Sequence, residues 1–127
     1  MAKRILVVDD DPDLLEATKV ILGSAGYEVA TAASGTEMFA ELEKKRADLI
    51  ILDVMLETET EGFHLAYKVR EHAKFKDTPI IMLTCIEEKT GEILEPEKAG
   101  DFLPVQDFLR KPLSAKDLRD HVAKLLA

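Results

Sequence analysis

Five short apolar runs punctuate this chain, each closed by polar or turn-forming residues. They are RILVV (4–8), YEVATA (27–32), DLIILD (48–53), PIIML (79–83) and DFLRK (107–111). Each predicts a strand. The first, third and fourth are nearly unbroken Ile, Leu and Val, the pattern of parallel strands covered on both faces. The second alternates apolar and polar residues, which puts it nearer the edge of a sheet.

Between the runs the apolar spacing turns helical. Leu14, Ala17, Thr18, Ile21 and Leu22 share one stripe in residues 13–25, and GSAG (23–26) supplies a stop. Ser34 followed by Glu37 is a capping-box pair, opening a helix that runs to about Lys45. From Gly62 to about Ala73, Phe63, Ala66, Tyr67 and Val69 recur among charged neighbours. Residues 87–99 predict a fourth helix that Pro96 interrupts. Ser114 caps a last one, with Leu118, Val122, Leu125 and Leu126 turned inward. Strand-then-helix units of this length imply right-handed crossovers and a parallel sheet with helices on both faces. The predicted fold is α/β, a doubly wound (βα)5 unit. No Pro/Gly/Ser-rich linker, low-complexity tract or internal repeat divides it, so residues 1–127 read as one domain.

Composition narrows the function more than the fold. Hydrophobic residues are 46% and charged residues 33%, ordinary for a globular chain long enough to bury a core. Seventeen basic against twenty-five acidic residues leave a formal charge of −8. With no basic tract, that argues against direct nucleic-acid or anionic-membrane binding and favours cationic ligands or basic partner surfaces. Cys85 is the single cysteine, so no internal disulfide and no CxxC metal spacing exist. The N-terminal MAKRILVV is too short an apolar stretch for a signal peptide, and no run reaches membrane-spanning length. The expected setting is cytoplasmic.

The candidate chemistry begins at VVDDDP (7–12), where an apolar strand runs straight into three like charges. Asp11 and Asp13 have a local use at the start of the following helix, beside Pro12. Asp9 and Asp10 close the first strand, and Asp53 closes the third. Ligands of doubly wound sheets bind outside the carboxyl ends of the strands, so neighbouring first and third strands would bring these acids into one crevice. Gathered carboxylates repel one another unless a cation neutralises them. Oxygen-only ligation suits a hard ion, Mg²⁺ above all where phosphate is also bound. Thr84 closes the fourth strand with a hydroxyl and Lys111 the fifth with an ammonium. A cation, a hydroxyl and a metal around one carboxylate meet the needs of an incoming phosphoryl group, whose transfer is mainly positioning and charge neutralisation. A carboxylate so placed can act as nucleophile and form an aspartyl phosphate.

These pieces, in order from ILVVDDDPDLL through DLIILDVML and PIIMLT to DFLRKPL, resemble the receiver domain of two-component response regulators over essentially the whole chain. The single-domain chemotaxis regulators are an example of such a domain. The resemblance implies the strand order 2-1-3-4-5. It implies that Asp53 is the phosphoacceptor and that Asp9, Asp10, Asp53 and the Met55 backbone carbonyl hold Mg²⁺ or Mn²⁺. It implies that Thr84 and Lys111 contact the phosphoryl oxygens and that Lys111–Pro112 is a cis peptide. Thr84 and Phe108 would be the switch pair that moves on phosphorylation. The implied partner is a sensor histidine kinase or a histidine phosphotransfer protein, with an unknown output partner and a monomeric or weakly dimeric state.

Three departures stand out. Glu57 occupies a position, four residues after the acceptor, where many members have proline, within the acidic stretch LETETEG (56–62). Cys85 follows Thr84 where a smaller residue is usual. AGDFLPVQDFLRKP (99–112) is a few residues longer than usual around 100–106, near the surface the family uses for output, so partner choice transfers less readily than chemistry.

Two other function classes compete. A phosphorylation-independent pseudo-receiver would keep the fold as an interaction module, and the intact Asp10, Asp53, Thr84 and Lys111 set argues against it. A phosphatase of the haloacid dehalogenase type would want an acid where Met55 stands, and Asp9 to Asp11 would repel the phosphate of a flavin. No GxGxxG or GK[ST] loop is present, and His64, His72 and His121 have no ligand spacing. The expected protein is a signalling switch rather than a turnover enzyme. It is either a stand-alone receiver or part of a longer regulator.

Overall fold

The computed structural model describes residues 3–53, 61–72, 77–84, 107–110 and 114–126, of which 61–64, 84, 107, 108 and 110 are described by backbone alone. The strands are β1 (Arg4–Val8), β2 (Glu28–Ala32), β3 (Leu49–Asp53), β4 (Ile80–Thr84) and β5 (Asp107–Arg110). The helices are α1 (Pro12–Ser24), α2 (Gly35–Lys44), α3 (Glu61–Glu71) and, last along the chain, α4 (Ala115–Leu126). The helix predicted over 87–99 lies outside the described residues. All five strands are parallel in one sheet, ordered β2-β1-β3-β4-β5. The alternating strand β2 is indeed at the edge.

Alternation along each strand divides the core in two. Leu6, Val8, Ile50, Leu52, Ile80 and Met82 face Met38 and Leu42 of α2 and Leu65, Ala66 and Val69 of α3. Ile5, Val7, Leu49, Ile51, Ile81 and Leu83 face Leu22 of α1 and Leu118 and Val122 of α4. This double burial is why three strands could read as unbroken apolar runs. Burying such side chains fully is worth about 1.5–3 kcal/mol each.

Two predicted core positions face water instead. Ala17 of α1 is exposed while Leu15 is half-buried, and Tyr67 of α3 is 43% exposed beside buried Ala66. Helical spacing marks which side of a helix turns inward, but the width of the buried stripe depends on how the helix rests on the sheet. Gly26 ends α1 at φ +97°, a left-handed conformation that glycine adopts without a Cβ penalty, and Tyr27 then donates to the Leu22 carbonyl at 3.2 Å. Gly35 sits at a close approach of two helices. A Cβ there would stand 2.6 Å from Cδ2 of Leu65.

The strand starts are tied together at one rim. The Arg4 side chain, only 9% exposed, lies 3.3 Å from Glu28 and 3.2 Å from Glu41, and also donates to the Lys45 carbonyl. Arg4 and Asp48 close the gap between β1 and β3: Arg4 N–H donates to the Asp48 side chain at Oδ2, 2.8 Å away, and Asp48 N–H to the Arg4 carbonyl at 2.7 Å. In the last turn of α3, Arg70 donates to the Thr78 carbonyl at 2.7 Å; burial lowers its pKa, opposed by nearby Asp77. Among the described residues, no helix is long and apolar enough to cross a membrane. The opposite rim, where the strands end, holds the acids.

Candidate functional site

The acids meet because two neighbouring strands run in register. Val8 of β1 pairs with Leu52 of β3, so Asp9 and Asp53, the next residue on each, stand side by side at the strand ends. Asp53 is the last residue of β3, whereas β1 stops at Val8, with Asp9 and Asp10 just beyond it. Asp9 keeps one more sheet-like bond, its N–H donating to the Ala32 carbonyl at 3.1 Å. Asp9 and Asp53 are almost wholly buried and Asp10 is exposed. One carboxylate oxygen from each of the three lies within 4.8 Å of the others.

Asp9 is held from both sides. One of its carboxylate oxygens, Oδ1, accepts the Asp11 N–H at 2.9 Å. Asp11 itself is the N-cap of α1: its Oδ1 accepts from Asp13 N–H at 3.0 Å and Leu14 N–H at 3.4 Å. Pro12 at the first helical position and Asp13 in the first turn complete a favourable start. The local use expected for Asp11 and Asp13 is therefore seen. The Asp9–Asp11 bond was missed, although an acid two residues ahead of an N-cap acid was its signal.

These three acids form a fitting site for a hard divalent cation. Two buried like charges and a third at the mouth repel one another, and a small cation binding oxygen ligands relieves that. Among the described residues it is the one group of acids, histidines or cysteines with this geometry. His72 instead lies 3.6 Å from Glu43, in the last turn of α2.

The other expected site residues are placed less fully. Thr84 ends β4 one step beyond Leu83, the register partner of Asp53, so its backbone flanks the acids. Phe108 lies in β5 opposite Met82, and Arg110, opposite Thr84, leads directly to position 111. Met55, Glu57, Cys85, Lys111, Pro112 and the stretch 100–106 lie outside the described residues.

Comparison with known proteins is consistent along the chain. The family model for the response regulator receiver domain matches residues 5–123. The transcriptional regulatory protein GltR of Pseudomonas aeruginosa is 35% identical over 98% of this chain and 49% of its own length. The alkaline phosphatase synthesis transcriptional regulatory protein PhoP of Bacillus subtilis is 33% identical over 99% of this chain and 49% of its own. The chain thus spans about half the length of the curated relatives it matches. Among solved structures, the chemotaxis protein CheY4 of Vibrio cholerae has a TM-score of 0.84 at 34% identity, covering 98% of this chain and 99% of that one. The signal receiver domain of a histidine kinase from Syntrophus aciditrophicus has a TM-score of 0.81 at 30% identity, covering 98% and 90%.

Proposed function

This chain belongs to the response regulator receiver domain family, and from that premise we propose that it is the phosphoacceptor unit of a two-component relay, with Asp53 as the acceptor. One observation carries the reading. Asp53 is buried at a strand end with the carboxylates of Asp9 and Asp10 close enough to share one ion with it.

In the proposed reaction an Asp53 carboxylate oxygen attacks the phosphorus of a phosphohistidine on a histidine kinase or phosphotransfer protein. The new P–O bond forms as the P–N bond breaks, and the electron pair leaves with the imidazole. Asp9, Asp10, Asp53 and the Met55 carbonyl would hold Mg²⁺ (or Mn²⁺), which supplies positive charge against the phosphoryl oxygens. Thr84 and Lys111 donate to the remaining oxygens, and burial of Asp53 keeps bulk water from competing for it. Hydrolysis of the acyl phosphate resets the protein, so the chain switches rather than turns over substrate. The phosphoryl group shifts a two-state equilibrium in which Thr84 and Phe108 move together.

The longer relatives are transcriptional regulators by name. By analogy, residues 1–127 form one receiver unit that works in the cytoplasm as a monomer or weak dimer. It passes its state to an output partner or to further chain.

Incubation with Mg²⁺ and a small phosphodonor, read by intact mass, tests the proposal. Wild type should gain the mass of one phosphoryl group and Asp53→Asn none. An unmodified wild type would favour the pseudo-receiver reading, and an adduct on Asp53→Asn would move the acceptor elsewhere.

A further inference from the structure

We propose that Asp11 is a positioning residue for the cation site, acting through Asp9 and Asp10 rather than as a ligand; the proposal rests on the metal reading above. The stretch Asp9–Asp11 is suspended between two anchors. At one end the Asp9 N–H donates to the Ala32 carbonyl of β2 at 3.1 Å. At the other, Asp11 is locked onto α1: its carboxylate takes the N–H groups of Asp13 and Leu14, and its carbonyl takes that of Leu15 at 3.1 Å. Those bonds hold Asp11 in extended backbone, φ −91° and ψ 109°, and in that conformation its N–H reaches Asp9 Oδ1 at 2.9 Å.

Physical consequence follows for both acids. Asp9 has one carboxylate oxygen fixed by the Asp11 N–H, which sets the rotation of the whole carboxylate and hence the direction of its other oxygen. Asp10 is exposed and sits between two like charges, so electrostatics alone would swing its side chain toward water. With both neighbouring residues anchored, its backbone is not free to follow. The cap thus holds repelling ligands together before the cation arrives, and a preformed site binds more tightly than one the ion must assemble.

The negative charge of Asp11 is a separate matter from its capping, and substitution separates the two. Asn retains the capping oxygen without the charge, whereas Ala removes both. An N-cap of this kind is worth about a factor of five in a local equilibrium.

The test is Mg²⁺ affinity of the unphosphorylated full chain, measured by titration calorimetry where every variant is folded by circular dichroism. Asp11→Asn should bind Mg²⁺ within about twofold of wild type, and Asp11→Ala about fivefold more weakly than Asp11→Asn. Ser34→Ala removes the comparable cap of α2, where Ser34 Oγ accepts from Glu37 N–H at 3.2 Å, and should lower stability without weakening Mg²⁺. Equal weakening by Asn and Ala would overturn the proposal in favour of a charge effect. So would an Asp11→Ala affinity equal to that of Asp11→Asn, or a loss in Ser34→Ala as large as in Asp11→Ala. If wild type binds no Mg²⁺, or Asp10→Asn binds it as well as wild type does, the metal reading itself has failed.

Discussion

Asp9 and Asp53 bring carboxylate oxygens within 4.8 Å of each other while both side chains are almost wholly buried. Two like charges at that separation repel by roughly 3 kcal/mol at the effective dielectric of partly buried sites. A fold that keeps them there, with Asp10 at the mouth, has placed repulsion where a ligand can relieve it.

Removing one of the charges should therefore not weaken the metal-free fold. Asp53→Asn is expected to leave stability unchanged or to raise it by up to roughly 2 kcal/mol. Urea unfolding in chelator measures this. A clear loss of stability would mean that the Asp53 carboxylate is a net structural asset.

Cation binding should in turn stabilise the wild type. At tenfold its Kd, Mg²⁺ adds about 1.4 kcal/mol by mass action, and chelator reverses the gain. Asp10→Asn and Asp53→Asn should both lose most of that increment. Thermal unfolding with and without Mg²⁺ is the measurement, and equal shifts in all three proteins would disconnect the ion from these acids.

At the opposite rim, Arg4 should matter for stability and not for the ion. Arg4→Ala leaves Glu41 and the Lys45 carbonyl without their buried guanidinium. The partners are partly exposed, which limits the loss to about 1–3 kcal/mol. Denaturant midpoints should fall while Mg²⁺ affinity of the folded protein stays the same.

Gly35 is set by the side chain it meets. Gly35→Ala puts a Cβ against Leu65, which is buried and has little room to give. Overpacking of this kind costs about 1–3 kcal/mol, partly offset by the better helix propensity of alanine. A double-mutant cycle with Leu65→Ala should show the Gly35→Ala penalty disappearing. A penalty that persists would locate its origin outside this contact.

Much of the architecture was readable because burial on both faces leaves an unmistakable trace in β1, β3 and β4. The edge position of β2 was readable from its alternation. Ala17 and Tyr67 misled for the same reason as each other: periodicity gives the middle of a helix's buried face and not its margins. Arg4 opens the first apolar run, and nothing in that run marks its side chain as buried. Its guanidinium is held by Glu28, Glu41 and the Lys45 carbonyl, which lie far along the chain and carry no local mark of a shared partner.

The candidate site divides in the same way. The sequence alone determined that acids follow the first and third apolar runs, that Asp11 and Pro12 start a helix, and that a hydroxyl ends the fourth run. These are local facts, written in hydrophobic period and capping chemistry. Only the tertiary structure decided that β1 and β3 are neighbours with Val8 opposite Leu52. Pairing is chosen by which strands bury most surface together beneath the helices, a property of the whole chain that no single segment records. That one register places Asp9 beside Asp53 and turns separate strand ends into a pocket.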